Sequence, residues 1–542
     1  MGLRTTAGHA LLQQLVKPGR QRFERHLGDL ESVQRAGLSR WLGAASRAPF
    51  WQAHGMRADW IWEQFASKVP VSTYADYADA LTEQRAQSQA QLIDSPVARY
   101  QPTSGSTSAV KWIPYTSLFL SELDEAISAW VGDLYEQFPR QAAGTHYWSL
   151  SWIPTNMRTQ TAGDINDDMK MLSWGKRLLA YLTQAVPQEV ALAETLEDSL
   201  FATVAFLCAD ESLGFMSVWS PTFGLNVLEY MATWRLELAG VLAQGQWGER
   251  AGRMAGVPCP RSGRAAHLLN DWDGVLSPDF FQRLWPKLAL VSAWDTAAAA
   301  PWAKSLHKQL PHAEFQGKGL WATEGVVTIP FGGKYPLAYQ SHVYEFVDAN
   351  DERVLPPWLL REGQDVIPLM TTGSGLARYR MNDVLRVEGF LGRVPCFTFL
   401  GRNDGVDLVG EKISATTAQS VLDSFSLDSA ALPVTLLALD QLHDGRPAYV
   451  LLAECPAGKA TPERAQALSE QLEDALQQHF HYKLARELGQ LQSAQCLLSA
   501  SMRELYLGLC RDRGMIEGNI KIEPLRHWPG AMPEALRPLL RA

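Results

Sequence analysis

The stretch Thr103-Ser104-Gly105-Ser106-Thr107-Ser108-Ala109-Val110-Lys111 decides how this chain is read, because it packs hydroxyls, a glycine and a lysine into one loop. Glycine lets backbone approach phosphate oxygens closely, exposed N–H groups and Ser/Thr hydroxyls donate hydrogen bonds, and the lysine adds a full positive charge. The next segment, Thr116 to Phe138, has apolar residues at Leu120, Leu123, Ile127, Trp130, Val131, Leu134 and Phe138. That is helical spacing, and Pro114 and Thr116 stand where helix entry is signalled. A loop that opens into a helix is an anion-binding arrangement, so a nucleotide phosphate tail is expected here. Val110-Lys111-Trp112 occupies the place where a Walker loop needs Gly-Lys-Ser/Thr, so P-loop kinases and GTPases lose their main support.

The loop resembles the signature of acyl-adenylate-forming enzymes, Thr-Ser-Gly-Ser/Thr-Thr-Gly-x-Pro-Lys, with departures at Ser108 and Val110. Further stretches match in the same order. Trp321-Ala322-Thr323-Glu324-Gly325 is similar to the element whose glutamate holds a magnesium ion bridging the ATP phosphates, a role that suits carboxylate oxygen. Tyr379-Arg380-Met381-Asn382-Asp383 resembles Tyr-Arg-x-Gly-Asp, whose aspartate takes both ribose hydroxyls. Asn382 replaces glycine there, and Asn is the next residue most able to adopt positive φ. Phe399-Leu400-Gly401-Arg402-Asn403-Asp404, continuing through Gly410-Glu411-Lys412, resembles the hinge and first strands of the small C-terminal domain.

Within that superfamily the chain is more similar to the Gretchen Hagen family of acyl-acid amido synthetases, the plant auxin- and jasmonate-conjugating enzymes and their bacterial relatives. Val69-Pro70-Val71-Ser72-Thr73-Tyr74, Lys111 to Thr116, Tyr344-Glu345-Phe346 and Tyr379 to Phe390 carry this resemblance, which covers roughly residues 30 to 525. Gly518-Asn519-Ile520-Lys521 resembles the Gln-Tyr-Lys element that bears the family's late catalytic lysine.

The resemblance implies an α/β fold, with a large N-terminal adenylation domain (1–401) and a small mobile C-terminal α/β lid (402–542), in a bacterial member of the family. It implies ATP and magnesium as cofactors. Ser104, Gly105, Ser106, Thr107, Ser108, Lys111, Thr323, Tyr379, Asp383, Arg402 and Lys412 would face the nucleotide. Tyr115, Trp130 and Trp219 would face the acid, Glu324 would hold the metal, and Lys521 with Glu324 would be catalytic. The implied reaction activates a small carboxylic acid, aromatic or apolar, as an acyl-adenylate and transfers it to an amino acid or other amine. Two alternatives stay open: a ligase whose acceptor is coenzyme A or a carrier-protein thiol, and a nucleotide-binding protein that has lost turnover through Ser108, Val110 and Asn382. Retention of Glu324, Asp383, Arg402 and Lys521 together argues against the second of these.

Composition is consistent with such an enzyme. At 542 residues the chain exceeds the usual single-core limit, and 46% hydrophobic content is ample for globular cores. A net charge of −9 without a basic run argues against nucleic acid as partner. The six cysteines, at 208, 259, 396, 455, 496 and 510, are scattered and fit reduced thiols in a cytoplasmic protein. No apolar run has signal-peptide form or approaches the ~20 residues of a membrane span, so no membrane partner is expected. Among the 19 tryptophans, Trp130, Trp148, Trp152, Trp174, Trp219 and Trp234 fall in segments that build the acyl pocket in the resembled family, although large aromatics are generally core residues.

Coarse periodicity predicts helices over 20–95, a strand at Phe201 to Leu207 and a helix from Leu225 to Leu242. Beyond Arg402 it predicts strands at Pro433 to Leu439 and Ala448 to Ala453, and helices at Thr461 to Phe480 and Met502 to Arg513. Asp404-Gly405 is a plausible pivot. Other motifs fail. Asp164-Ile165-Asn166-Asp167-Asp168 begins like a calcium loop, yet Met169 sits where glycine is required and Gly175 where the bidentate glutamate belongs. His479 and His481, two apart on an expected helix, point to different faces. No His-Glu-x-x-His or Gly-x-Ser-x-Gly pattern occurs.

Overall fold

The computed structural model describes residues 3–87, 91–102, 111–151, 166–167, 181–402, 405–409, 411, 413–425, 431–442, 445–513, 515 and 520–540. The helix after the Ser/Thr/Gly loop forms over Ser117–Gln137, and Thr116 caps it by accepting a hydrogen bond from the Phe119 N–H at 3.1 Å. Its buried face carries Leu123, Ile127, Trp130, Val131 and Leu134, as the spacing predicts. The N-terminal helix Leu3–Arg25 lies directly against it, because two glycines allow the backbones to close in. A Cβ on Gly19 would sit 2.5 Å from Ser128 Cβ, and one on Gly132 would sit 2.7 Å from Arg20 Cβ.

Three sheets organise the rest. Strands Thr145–Trp148, Leu213–Ser217, Leu290–Ser292 and Glu314–Gln316 lie side by side in chain order, all parallel. Each connection between neighbours carries at least one helix, the strand–helix–strand logic of an α/β layer. An antiparallel sheet follows, ordered Val354–Leu355, Val343–Asp348, Asp365–Thr371, Asp383–Leu391, Val394–Arg402, with Tyr379–Arg380 paired to Asp365–Thr371. The C-terminal sheet runs Gln495–Ser499, Ala448–Glu454, Leu432–Gln441, Leu525–Ala531.

Both faces of the C-terminal sheet are apolar, and alternation along its strands separates them. Leu436, Ala438, Leu451 and Ala453 pack with the helices Ala415–Phe425 and Pro462–Gln477. Leu437, Leu439, Val450 and Leu452 join the cluster that also holds the helices around the parallel sheet. The C-terminal part is therefore docked through a shared apolar core in this structure.

Three sequence expectations are corrected. Phe201 to Leu207 is not a strand but the middle of the helix Leu196–Ala209, capped by Thr195, whose hydroxyl accepts from the Asp198 N–H. Nearly every residue of that run is buried, so the one-sided period that marks a surface helix is lost. The expected helix from Leu225 to Leu242 is two helices, Pro221–Thr233 and Arg235–Gln244, broken at Trp234. His479 likewise caps a new helix, Phe480–Glu487, rather than continuing Pro462–Gln477. The Asp164–Asp168 stretch, apart from Asn166 and Asp167, lies outside the described residues, as do Trp152 and Trp174. Among the described residues, no helix is long and apolar enough to cross a membrane.

Candidate active site

A short hairpin pairs Trp321–Ala322 with Gly325–Val326 and leaves Thr323 and Glu324 at its tip. Tyr115 donates its hydroxyl proton to the Thr323 carbonyl at 3.2 Å, and the Tyr379 hydroxyl donates to Glu324 Oε1 at 3.4 Å. Burial pushes the Glu324 carboxyl above its ordinary range; the nearby Asp383 adds to that, while Lys111 and Lys521 oppose it. Asp383 opens the strand Asp383–Leu391 and pairs in register with Arg402 at the end of Val394–Arg402. Its carboxyl is also pushed up, first by burial and then by Glu523, against the pull of Lys521 and Arg402.

The C-terminal part contributes Lys521 and Glu523. Lys521 Nζ lies 4.7 Å from the centre of the Trp294 ring, a cation–π contact. Glu523 accepts from Arg402 Nη1 at 2.9 Å and from Arg526 Nη2 at 2.8 Å. Burial works to raise the Glu523 carboxyl, but Arg526, Arg402 and Lys521 outweigh it and hold the group below its usual range. Carboxylates and cations from separate stretches of chain thus face one another. On the outer side, Lys111 Nζ lies 5.8 Å from the Tyr74 ring, and the Tyr74 hydroxyl accepts from the Trp112 N–H.

Of the residues expected to face the acid, Trp130 and Trp219 stand in an aromatic wall, whereas the Tyr115 ring packs edge-on against Phe119 with centroids 4.9 Å apart. Trp130 stands edge-on to Trp148 at 5.8 Å and 5.7 Å from Trp321, while Trp219 lies 6.2 Å from Trp321 and 5.7 Å from Trp294. Sequence reasoning missed the charge inside this wall. Lys318, 1% exposed, donates to Ser217 Oγ at 2.6 Å, with its Nζ 4.6 Å from Trp219, 5.2 Å from Trp130 and 5.9 Å from Trp148. The available signal was Gly317-Lys318-Gly319, a lysine between glycines just ahead of the Trp321 motif. Glu523 and Arg526 carried no motif at all.

Ser104, Gly105, Ser106, Thr107, Ser108 and Lys412 lie outside the described residues, as does Asp404 of the expected pivot. Lys111, Tyr115, Trp130, Trp219, Thr323, Glu324, Tyr379, Asp383, Arg402 and Lys521 are described. Of these, Glu324 feels the charges of Lys111, Asp383 and Lys521, and Asp383 that of Lys521. Among the described residues, no group of three or more His, Cys, Asp and Glu side chains could hold a metal. All six cysteines are free thiols.

Comparison with known proteins bears on the family and the fold. Residues 19–315 match the GH3 family N-terminal domain, and residues 335–402 match the GH3 family central domain. Indole-3-acetic acid-amido synthetase GH3.15 of Arabidopsis thaliana is 24% identical over 390 residues, which span 63% of this chain and 62% of that enzyme. The solved structure of the AtGH3.15 acyl acid amido synthetase in complex with 2,4-DB superposes with a TM-score of 0.79 at 17% identity, covering 97% of this chain and 96% of that one. A 2-hydroxyisobutyryl-CoA ligase in its postadenylation state, in complex with 2-HIB-AMP, superposes at TM-score 0.52 and 12% identity over 94% of this chain and 90% of that one. The fold is thus shared with two-domain adenylate-forming enzymes. With both its N-terminal and central domain models matched along the sequence, this chain belongs to the GH3 family.

Proposed function

We propose that this chain joins a small apolar or aromatic carboxylic acid to the amine of an amino acid in two ATP-dependent steps. In the first, a carboxylate oxygen attacks the α-phosphorus of ATP, the P–O bond to pyrophosphate breaks, and an acyl-adenylate forms. In the second, the amine nitrogen attacks the acyl carbonyl, the C–O bond to AMP breaks, and the surplus amine proton leaves to solvent. One observation carries this reading: Glu324 lies within the electrostatic reach of Lys111, Asp383 and Lys521, all positions that the family resemblance assigns to the nucleotide and the chemistry.

In this reading Asp383 accepts from the ribose hydroxyls, and Lys521 stabilises the charge that develops at the α-phosphate and carboxylate oxygens. Lys521 does so only while the C-terminal part is docked, so residues 402–542 act as a lid over 1–401. The loop 103–111 and Lys412 complete the nucleotide contacts. Trp130, Trp219 and Tyr115 hold the acid, and the relative solved with 2,4-DB supports an apolar one.

The residues present fit magnesium. A hard cation of this kind normally takes one or two carboxylates together with substrate phosphates, and Glu324, whose carboxyl burial pushes up, is such a carboxylate beside the Thr323 hydroxyl. When bound, magnesium would neutralise charge building on the phosphates. Glu324 and Thr323 would hold it.

The test is pyrophosphate release from ATP and magnesium across a panel of aromatic and aliphatic acids, with pooled amino acids or coenzyme A as acceptor. Release that depends on one acid, with amide as the stable product, is expected. A thioester instead would reassign the acceptor, and no release with any acid would overturn adenylation.

A further inference from the structure

Helix Ser117–Gln137 carries a carboxylate that the proposed chemistry does not use. Glu122 Oε2 receives the Gly373 N–H at 2.8 Å and lies 2.7 Å from His342 Nδ1. The His342 side chain is fully buried, and its ring stacks on Phe119 with centroids 5.5 Å apart. On its other edge, Nε2 accepts the Val326 N–H at 3.2 Å. Because Nε2 accepts from a backbone N–H, the ring proton of this arrangement sits on Nδ1 and is donated to Glu122.

Val326 is two residues beyond Glu324 in the same hairpin. Its carbonyl accepts from the Tyr344 hydroxyl at 2.7 Å, and Tyr115 holds the Thr323 carbonyl. Both sides of the Thr323–Glu324 tip are therefore tied down by side chains, one by Tyr115 from 208 residues away and the other by His342 and Tyr344. Gly325 makes the approach of His342 possible: a Cβ there would lie 2.9 Å from His342 Nε2. Glu122 also fixes Gly373, whose carbonyl accepts from Thr116, the cap of the loop's helix. One carboxylate thus joins the phosphate-loop helix, the Glu324 hairpin and the turn at Gly373 that precedes Tyr379.

We propose that Glu122 and His342 are positioning residues for the proposed adenylation, holding the Thr323–Glu324 tip in register with the phosphate-loop helix through the Val326 and Gly373 backbone N–H groups. This rests on the reading of Glu324 as the residue that meets the metal-bound phosphates. Neither residue touches substrate; they act through the hairpin. Partners that orient a metal-binding carboxylate typically change affinity or activity ~10–100-fold when lost.

The test compares His342→Leu, which keeps bulk but leaves Glu122 and the Val326 N–H unmatched, with His342→Gln, whose amide can donate to Glu122 and accept from Val326. Three quantities are read: acid-dependent ATP–pyrophosphate exchange, the magnesium concentration for half-maximal ATP binding by calorimetry, and hydrogen–deuterium exchange of residues 321–326 without ligand. H342L is expected to lower kcat ~10-fold or more with the acid KM within about twofold, to raise the magnesium requirement, and to speed exchange locally at the hairpin. H342Q is expected to restore most of each.

H342L at wild-type kcat and magnesium requirement overturns the proposal, as does equal damage in both variants with protection lost far beyond the hairpin. Should H342L fail to fold, Glu122→Gln decides in its place. It keeps an acceptor for Gly373 and loses the charge beside His342, so wild-type kcat together with wild-type exchange at 321–326 overturns the proposal. If the wild-type protein itself exchanges pyrophosphate with no acid, the functional reading fails, while the local hydrogen exchange still reports whether His342 pins the tip.

Discussion

The two halves of the candidate site are held by different forces. The Thr323–Glu324 tip is fixed through backbone groups: the Thr323 carbonyl by Tyr115, and the Val326 N–H and carbonyl by His342 and Tyr344. The Lys521–Glu523 segment adds side-chain charge to the apolar burial of Ile520 and Ile522, with Glu523 between Arg402 and Arg526 and Lys521 over Trp294. Hydrogen bonds to backbone within a packed core respond weakly to salt, whereas ion pairs at a junction respond to it. In the proposed reading, the first half is the platform and the second belongs to the lid.

Removing Lys521 gives the largest separation between the halves. Loss of one aimed electrostatic group typically lowers turnover ~10²–10³-fold, so Lys521→Ala should lose that much in acid-dependent pyrophosphate exchange while ATP still binds the platform. Wild-type turnover would remove Lys521 from the chemistry. Asp383→Ala strikes the platform side. Hydrogen bonds to a charged group contribute ~1.5–3 kcal/mol, so calorimetric ATP affinity should fall roughly 10–100-fold, and unchanged affinity would reject the ribose contact.

The smallest effect sharpens the contrast through pH. Glu523 is held below its ordinary range, so its charge stabilises the fold above about pH 4.5, and that contribution fades as pH falls through the depressed value. Glu324 is pushed above its range, so its ionised form weakens the ligand-free fold at pH 8, and that penalty fades as pH falls through the raised value. Glu523→Gln should therefore lower Tm at pH 8 and Glu324→Gln should raise it, each by roughly 1–3 °C, with the two differences shrinking on acidification. Shifts of the same sign at pH 8 would show that the halves are not held in opposite ways.

Much of the frame was legible in sequence. The helix Ser117–Gln137 announced itself through Thr116 and a single apolar stripe, and the strands Leu432–Gln441 and Ala448–Glu454 through their flanking turns and dense β-branched and aliphatic residues. The run at Phe201 misled because a helix buried on all sides has no stripe to read, although Thr195 with Asp198 three residues on was a capping signal. The site was legible where a motif is local, as at Thr323–Glu324 and Tyr379–Asp383. It was not legible where the arrangement depends on partners far apart in the chain: Glu122 and His342 are 220 residues apart, and Arg402 and Glu523 are 121. A lone histidine or glutamate carries no pattern that names its partner across such a separation.

The tryptophan wall makes the protein its own optical reporter. Trp148, Trp130, Trp321, Trp219 and Trp294 form a chain of ring contacts of 5.7–6.2 Å, with Lys318 seated among them and Lys521 over the last. Indole emission responds to a neighbouring ammonium group, and rings this close exchange excitation. In the proposed reading, an acid entering between the rings would change emission at one end of the chain, and withdrawal of Lys521 would change it at the other. If the proposed reading holds, Trp→Phe variants at Trp130 and Trp294 would separate filling of the pocket from lifting of the C-terminal part in stopped-flow fluorescence.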